Sequence, residues 1–264
     1  MMTRFLIASL GILMMGTGCQ SAEPVQAPAH SGDSAPQYLE QVAPGVWVHS
    51  TFREVRGFGS VLSNGLVVAS GDDALLVDAG WGEDPIQDTR QILAETKRAS
   101  GATVRRAVFS HHHADSVEGI WALREAGIPA YASPMTADLM KSGGWGGPDS
   151  LLAEGNVWSL SYGDHQIEVF YGGPGHTLDN VVVYVPSARV LYTGCLVRPG
   201  ESGSLGNIAD ADIRQWAESV TRVRDRYHGR VDVVVPSHGP PGGPELLDHT
   251  IELVEEHRGR PVGG

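Results

Sequence analysis

Cysteine is scarce in this 264-residue chain: only Cys19 and Cys195 occur. If Cys19 is removed or modified, Cys195 has no partner, so a disulfide framework is excluded. Basic residues are also in deficit, 19 Lys and Arg against 31 Asp and Glu, for a formal net charge of -12. No basic stripe is available to neutralise phosphates, which excludes a nucleic-acid partner of the ordinary kind. The apolar run from Phe5 to Met15 is too short to span a bilayer. The remaining composition, 41% hydrophobic and 19% charged, supports a sizeable core, and 34 glycines fit a loop-rich protein.

The run from Phe5 follows Arg4 and has the length of a signal-peptide core. It ends in "GTGC", and small residues before a Cys resemble the lipobox of bacterial lipoproteins. Residues 1–19 are therefore expected to be a lipoprotein-type signal segment, with lipid on Cys19. Gly16 departs from the pattern, which prefers Leu three places before the Cys; cleavage nearby by an ordinary signal peptidase is the alternative. Either route predicts export to the periplasm, the first with attachment to the outer membrane. Residues 20–38, rich in Pro, Ala and Ser, read as a flexible tether. In that oxidising compartment Cys195 must be inert and buried, reactive, or bound to metal.

The rest, residues 39–264, reads as one domain without an internal linker. "PGVWVHSTF", "NGLVVAS" and "ALLVDAG" predict strands, "PIQDTRQILAETKRAS" a helix opened by Asp84 and Pro85, and "TVRRAVFS" a strand. "VEGIWALREAG" reads as a helix, "AYAS" as a short strand and "PMTADLMKSGG" as a short helix. Four strands follow, "NVWSLSYG", "HQIEVFYGG", "NVVVYVPS" and "RVLYTG". A long helix from Asp212, the strand "VDVVVPSHG" and a last helix complete the chain. "VRRAVFSH" and "VDVVVPSH" are both apolar strands ending in Ser-His. Two such halves predict sheet packed on sheet with helices outside, an α/β fold, and Ser-His ends that can meet at one edge.

The second stretch to explain is "SHHHADS". In an extended segment alternate side chains share a side, so His111, His113 and Asp115 point one way and His112 the other. Two imidazoles and a carboxylate aimed at one point suit zinc, which takes about four ligands. Further donors follow in strand-end loops: His176 in "GGPGHTLDN", Cys195 in "LYTGCLV" and His238 in "VVPSHGPPGG". Six donors suffice for two zinc ions with open positions. His112 is expected to be a bystander. His30, His49, His165, His228, His249 and His257 are expected to be surface or hydrogen-bonded residues.

His-x-His-x-Asp followed by lone His, Cys and His resembles the metallo-β-lactamase family, in particular its broad-spectrum subclass with a Cys in the second zinc site. The likeness runs from about residue 40 to 257 and includes "GFGSVLSNGLVV", "GPGHTLDN" and "GCLV". "SLGNIADAD" is similar to the New Delhi type. The resemblance implies an αββα sandwich, with His111, His113 and His176 on one zinc and Asp115, Cys195 and His238 on the other. Ser116 stands where most other members of the fold carry a ligating His, and Cys195 takes over that role. The implied reaction is hydrolysis of the β-lactam amide of penicillins, cephalosporins and carbapenems, with metal-bound hydroxide as nucleophile. Asp115 would also orient the nucleophile or pass a proton. No Ser-x-x-Lys motif offers a serine nucleophile. Arg198, where the family usually has Lys, would bind the substrate carboxylate, and Asn207 would donate to the carbonyl oxygen. Phe52 and Val55 would be apolar contacts of a substrate-closing hairpin, Trp81 would line the site floor, and Asp78 would support the metal loop. The partner is then a small-molecule substrate of a monomer. A thioesterase or lactonase of the same fold, and a non-catalytic zinc-binding lipoprotein, are the alternatives.

Overall fold

The computed structural model describes residues 38–259 except 154 and 164. The expected signal segment, Cys19 and the tether before Tyr38 lie outside the described residues. Two sheets form the centre. The first has seven strands in chain order: β1 (Leu39–Ala43), β2 (Val46–Val55), β3 (Gly59–Ser70), β4 (Asp73–Val77), β5 (Thr103–Val108), β6 (Ala130–Ala132) and β7 (Ser150–Leu151). It is antiparallel from β1 to β4 and parallel from β4 to β7. The second has the order β12 (Val233–Pro236), β11 (Val190–Gly194), β10 (Val182–Val185), β9 (His165–Phe170), β8 (Val157–Tyr162). Its β11–β12 pair is parallel and the others antiparallel.

Helices α1 (Pro85–Ser100), α2 (Ala114–Val117), α3 (Ile120–Glu125) and α4 (Pro134–Ser142) fall between strands of the first sheet. Helices α5 (Ile213–Tyr227) and α6 (Glu245–Gly259) flank β12. The layering follows from the period of two along each strand. On β10, Val183 and Val185 join Val46, Leu66 and Val77 between the sheets, while Val182 and Tyr184 pack with Trp216, Val220 and Leu253 of α5 and α6. On β3 and β4, Leu66, Val68, Leu75 and Val77 face the second sheet, and Val67 and Leu76 face Ile92, Ile120 and Met140 of the other helical layer. Strands buried on both faces must be continuously apolar, which is why "VVYV" and "ALLV" show no alternation. The result is the expected αββα sandwich.

Two expectations change. "VEGIWALREAG" is broken at Gly119 into α2 and α3. A Cβ on Gly119 would meet Thr89 Oγ1 at 2.0 Å and Gly80 O at 3.1 Å, so the backbone there lies against α1 and the strand-end loop. Strands β1 and β7 were not foreseen: β7 has two residues and β1 no alternation, so neither carries a period to read.

The strand ends set up the site. β4, β5, β11 and β12 end at Val77, Val108, Gly194 and Pro236. Parallel pairing within β4–β5 and β11–β12 brings the C-terminal ends of each pair together. Backbone bonds then pin the two sheets at that edge: Asn64 N–H to Ser237 O at 2.7 Å, and Val181 N–H to Ser110 O at 2.9 Å. Asn64 Nδ2 also donates to Pro236 O at 3.0 Å and Gly239 O at 2.7 Å.

Helix α1 starts as its sequence dictates, with Asp84 accepting from Gln87 N–H at 3.1 Å, Pro85 in the first turn and Gly101 closing the last. Asp84→Ala should cost about 1 kcal/mol and lower Tm by roughly 2–4 °C in a thermal melt. Metal content should not change, because α1 holds no donor.

Candidate metal centre

Beneath the site lies Asp78, fully buried at the end of β4. Four donors converge on its carboxylate: Ser110 N–H at 2.7 Å, Ser110 Oγ at 2.6 Å, Tyr192 OH at 2.6 Å and Ser116 Oγ at 2.5 Å. Burial pushes the Asp78 carboxyl up, and the charge on His111 and these hydroxyls oppose it. Ser110 and Ser116 bracket the stretch that carries His111, His113 and Asp115. Ser237 also joins, 3.0 Å from Tyr192 OH, so the two Ser-His strand ends do meet.

Above this network the donors converge in two groups that share His111. Ligand atoms of His111, His113 and His176 lie within 4.8 Å of one another, as do those of His111, Asp115 and Cys195. His238 adjoins the second group, with Nε2 3.2 Å from Asp115 Oδ2 and 3.4 Å from Cys195 Sγ. Asp115 Oδ2 also lies 3.1 Å from Cys195 Sγ.

Outer hydrogen bonds decide which nitrogen His238, His111 and His113 turn inward. His238 Nδ1–H donates to Leu62 O at 2.6 Å, leaving the Nε2 lone pair for the site. Ser110 Oγ gives its proton to Asp78, so His111 Nδ1–H donates to it at 3.0 Å, and His111 Nε2 is left buried without a hydrogen-bond partner. His113 Nε2 meets the Asp210 carboxylate at 3.0 Å, which aims Nδ1 at His176 Nε2, 3.1 Å away. Imidazole nitrogens, a carboxylate and a thiol held this close must share protons or a metal ion.

The charges agree. Burial disfavours positive charge on His111 and His238, yet Asp115 and Cys195 hold both well above the usual imidazole range. Burial also opposes the Asp115 carboxylate, but His111 and His238 hold it well below its usual range. For the Cys195 thiol, burial and Asp115 act upward, and His238 and His111 more than offset them. Burial and the charge on His111 push His176 and His113 down. Nitrogen, carboxylate and thiolate donors in this arrangement fit zinc, and the thiolate disfavours magnesium or manganese.

His112 stands outside both donor groups, but it is not a bystander. Its Nδ1 lies 2.9 Å from Oδ1 of the fully buried Asp179, three residues after His176, so it ties together the two loops that supply the first donor group. Arg198 lies partly buried after Cys195. Its terminal nitrogens flank Gly206, beside Asn207, and reach Ser202 Oγ at 3.4 Å. Asn207 Oδ1 accepts from Ala209 N–H at 3.2 Å, so Nδ2 is its donor to other groups. Trp81 lies edge-on to His238, centroids 6.4 Å apart, under the Arg53 guanidinium at 4.7 Å. Alternation along β2 separates the two hairpin residues: Val55 shares a face with Thr51 and Arg53, and Phe52 lies on the opposite one. Phe52 and Val55 therefore cannot form one contact surface. At the tip, Phe58 is the most exposed large apolar residue among those described, at 62%. Sequence reasoning did not single out Asp179, Asp210, Tyr192, Arg53 or Phe58. Asp179 and Asp210 stood inside quoted motifs, but only the fold gives them their imidazole partners.

The profile of the Metallo-beta-lactamase superfamily matches residues 59–238. A type 2 metallo-beta-lactamase of Bacillus sp. (strain 170) is 34% identical over 236 residues, 89% of each chain. The type 2 enzyme of Bacillus cereus is 37% identical over 217 residues, 82% of each. Among solved structures, a metallo-beta-lactamase from Pontibacter korlensis superposes with a TM-score of 0.77 at 37% identity, covering 82% of this chain and 98% of its own. FIM-1 from Pseudomonas aeruginosa, solved in a mono-zinc form, gives 0.77 at 36% identity over 84% and 96%. The chain belongs to the metallo-β-lactamase superfamily, and zinc is the metal its two donor groups hold.

Metal content should separate ligands from brace. His111→Ala and His113→Ala should lose zinc by elemental analysis. His112→Ala should keep it while losing about 1–3 kcal/mol of stability, the cost of an unpaired buried acceptor. Two zinc ions would displace the protons that His111 and His238 otherwise hold, so zinc binding should release protons at pH 7 and weaken as pH falls. Titration in weakly buffered solution with a pH indicator reads that release directly.

Proposed function

We propose that the protein hydrolyses the β-lactam amide bond of penicillins, cephalosporins and carbapenems in a zinc-dependent reaction, and so confers resistance to them. The observation that carries this reading is the convergence of six donors, one of them a thiolate, at one edge of the sandwich. The relatives called metallo-beta-lactamases, at 31–37% identity over most of the chain, support it.

When bound, zinc supplies a water ionised near neutral pH as nucleophile and a Lewis acid for the carbonyl oxygen. The chain's own residues do the rest. Arg198 binds the ring carboxylate with a charged hydrogen bond. Asn207 Nδ2 donates to the carbonyl oxygen, where negative charge develops. Asp115, besides holding metal, orients the nucleophile and passes its proton toward the departing nitrogen. Asp78, Ser110 and Ser116 keep the ligand loop in register, so that these groups are set before substrate arrives. The hairpin around Phe58 excludes water from above, and Trp81 lines the wall beside His238.

The same proposal covers the N-terminus: export to the periplasm, and a lipid on Cys19 that tethers a monomeric enzyme to the outer membrane. Among the described residues no helix is long and apolar enough to cross a membrane. Incorporation of labelled palmitate, lost in Cys19→Ala, tests the lipid.

Nitrocefin turnover by purified protein, abolished by a chelator and restored by zinc, is the decisive assay. A protein that holds zinc but leaves nitrocefin intact would overturn the proposal. Arg198→Ala should raise KM for penicillins and carbapenems by about ten-fold or more, the worth of one charged hydrogen bond, with zinc content unchanged. Arg198→Lys should recover much of the loss.

A further inference from the structure

We propose that His49 is a positioning residue of the metal centre: from inside the first sheet it fixes the left-handed backbone of Asp78, and through Asp78 the loop that carries His111 and Asp115. The proposal rests on the metal-centre reading and extends it to a residue that meets neither metal nor substrate.

Asp78 is one of only two non-glycine residues with positive φ among those described, at 58°. A side chain at such a backbone persists only where its surroundings over-determine it. The constraints on Asp78 can be named. Its N–H is held by Val108 O at 2.9 Å. Its carbonyl oxygen accepts from His49 Nε2 at 3.1 Å, and the same nitrogen lies 3.3 Å from Val77 O. Both facing groups are acceptors, so Nε2 carries the proton. Burial pulls the His49 pKa down to about 4, so at neutral pH the ring is an uncharged donor.

His49 lies on β2, and β3 runs between it and β4. Its partner on β3 is Gly65. A Cβ on Gly65 would stand 2.1 Å from His49 Nε2 and 2.4 Å from Val77 O. The imidazole thus occupies the space that any other residue at position 65 would fill, and crosses beneath β3 to reach the last carbonyls of β4. Glycine, imidazole and left-handed aspartate form one unit spanning three strands. Its output is the direction of the Asp78 carboxylate, which gathers Ser110, Ser116 and Tyr192. Ser110 in turn receives His111 Nδ1 at 3.0 Å. Rotating the Asp78 backbone out of the left-handed region would withdraw the carboxylate from those donors and loosen His111 and Asp115 together.

The test compares two polar substitutions in the zinc-loaded enzyme. Glutamine places an amide nitrogen near the Nε2 position; asparagine places one near Nδ1. His49→Gln should keep zinc affinity within about threefold of wild type. His49→Asn should bind the zinc of the Asp115, Cys195 and His238 group about ten-fold or more weakly, as loss of a supporting partner does. In cobalt-substituted protein, the Cys195 thiolate-to-cobalt charge-transfer band should be preserved in His49→Gln and shifted or weakened in His49→Asn. Thermal melts of both identify a general loss of stability. If His49→Asn keeps the band and the zinc affinity while its Tm falls, the role is only structural and the proposal is overturned; equal loss in both variants also overturns it. Should His49→Asn fail to fold, Gly65→Ala fills the same space with His49 retained, and a wild-type band and affinity there would overturn the proposal as well. Wild-type protein that takes up no cobalt at Cys195 would instead sink the metal-centre reading on which the proposal rests.

Discussion

A buried carboxylate surrounded by hydroxyls governs this molecule. Asp78 sits at the end of β4 with four donors on two oxygens, drawn from the loop after β5, from α2 and from β11. A charge so deep is tolerable only when its lone pairs are satisfied, so each donor is held where the carboxylate needs it. Ser110 and Ser116 flank the His-x-His-x-Asp stretch, and Tyr192 reaches in from the second sheet. The fold therefore cannot place its metal ligands independently of one another. His111 and Asp115 are set together by the electrostatic requirement beneath them.

The edge of the sandwich supplies the remaining geometry. Four strands end there because parallel pairing puts the C-terminal ends of β4 and β5, and of β11 and β12, side by side. Loops leaving such ends are short of backbone partners, and polar side chains fill that need. Asn64 ties the β12 loop to β3, and His238 Nδ1 closes on Leu62 O. The His238 bond leaves Nε2 of that ring facing the centre. Orientation of that ligand is thus a by-product of satisfying the strand ends, and the buried site keeps its donors convergent in a chain whose net charge is -12.

Two histidines show how context divides one residue type. His112 and His49 both stand outside the donor groups. His112 reaches a buried carboxylate on the neighbouring loop, and His49 reaches backbone carbonyls across a glycine. Each uses the imidazole as a rigid donor, one from the rim and the other from the floor.

The sequence by itself determined the layers and the donors. The extended alternation expected through His111, His113 and Asp115 does not persist, because α2 begins at Ala114 and carries Asp115; period-two and continuous apolar runs do specify strands and their burial, and caps such as Asp84 and Asp212 specify helix starts. These are local matters, fixed by backbone geometry within a few residues. What only the tertiary structure decided lies across long separations. Asp210 turns His113 from 97 residues away, and His238 takes its orientation from Leu62 at a separation of 176. The break at Gly119, the opposite faces of Phe52 and Val55, and the slot at Gly65 likewise depend on which backbone passes close by. A residue's type limits what it can donate or accept, but the partner is chosen by packing, and packing brings together segments that no window along the chain can contain.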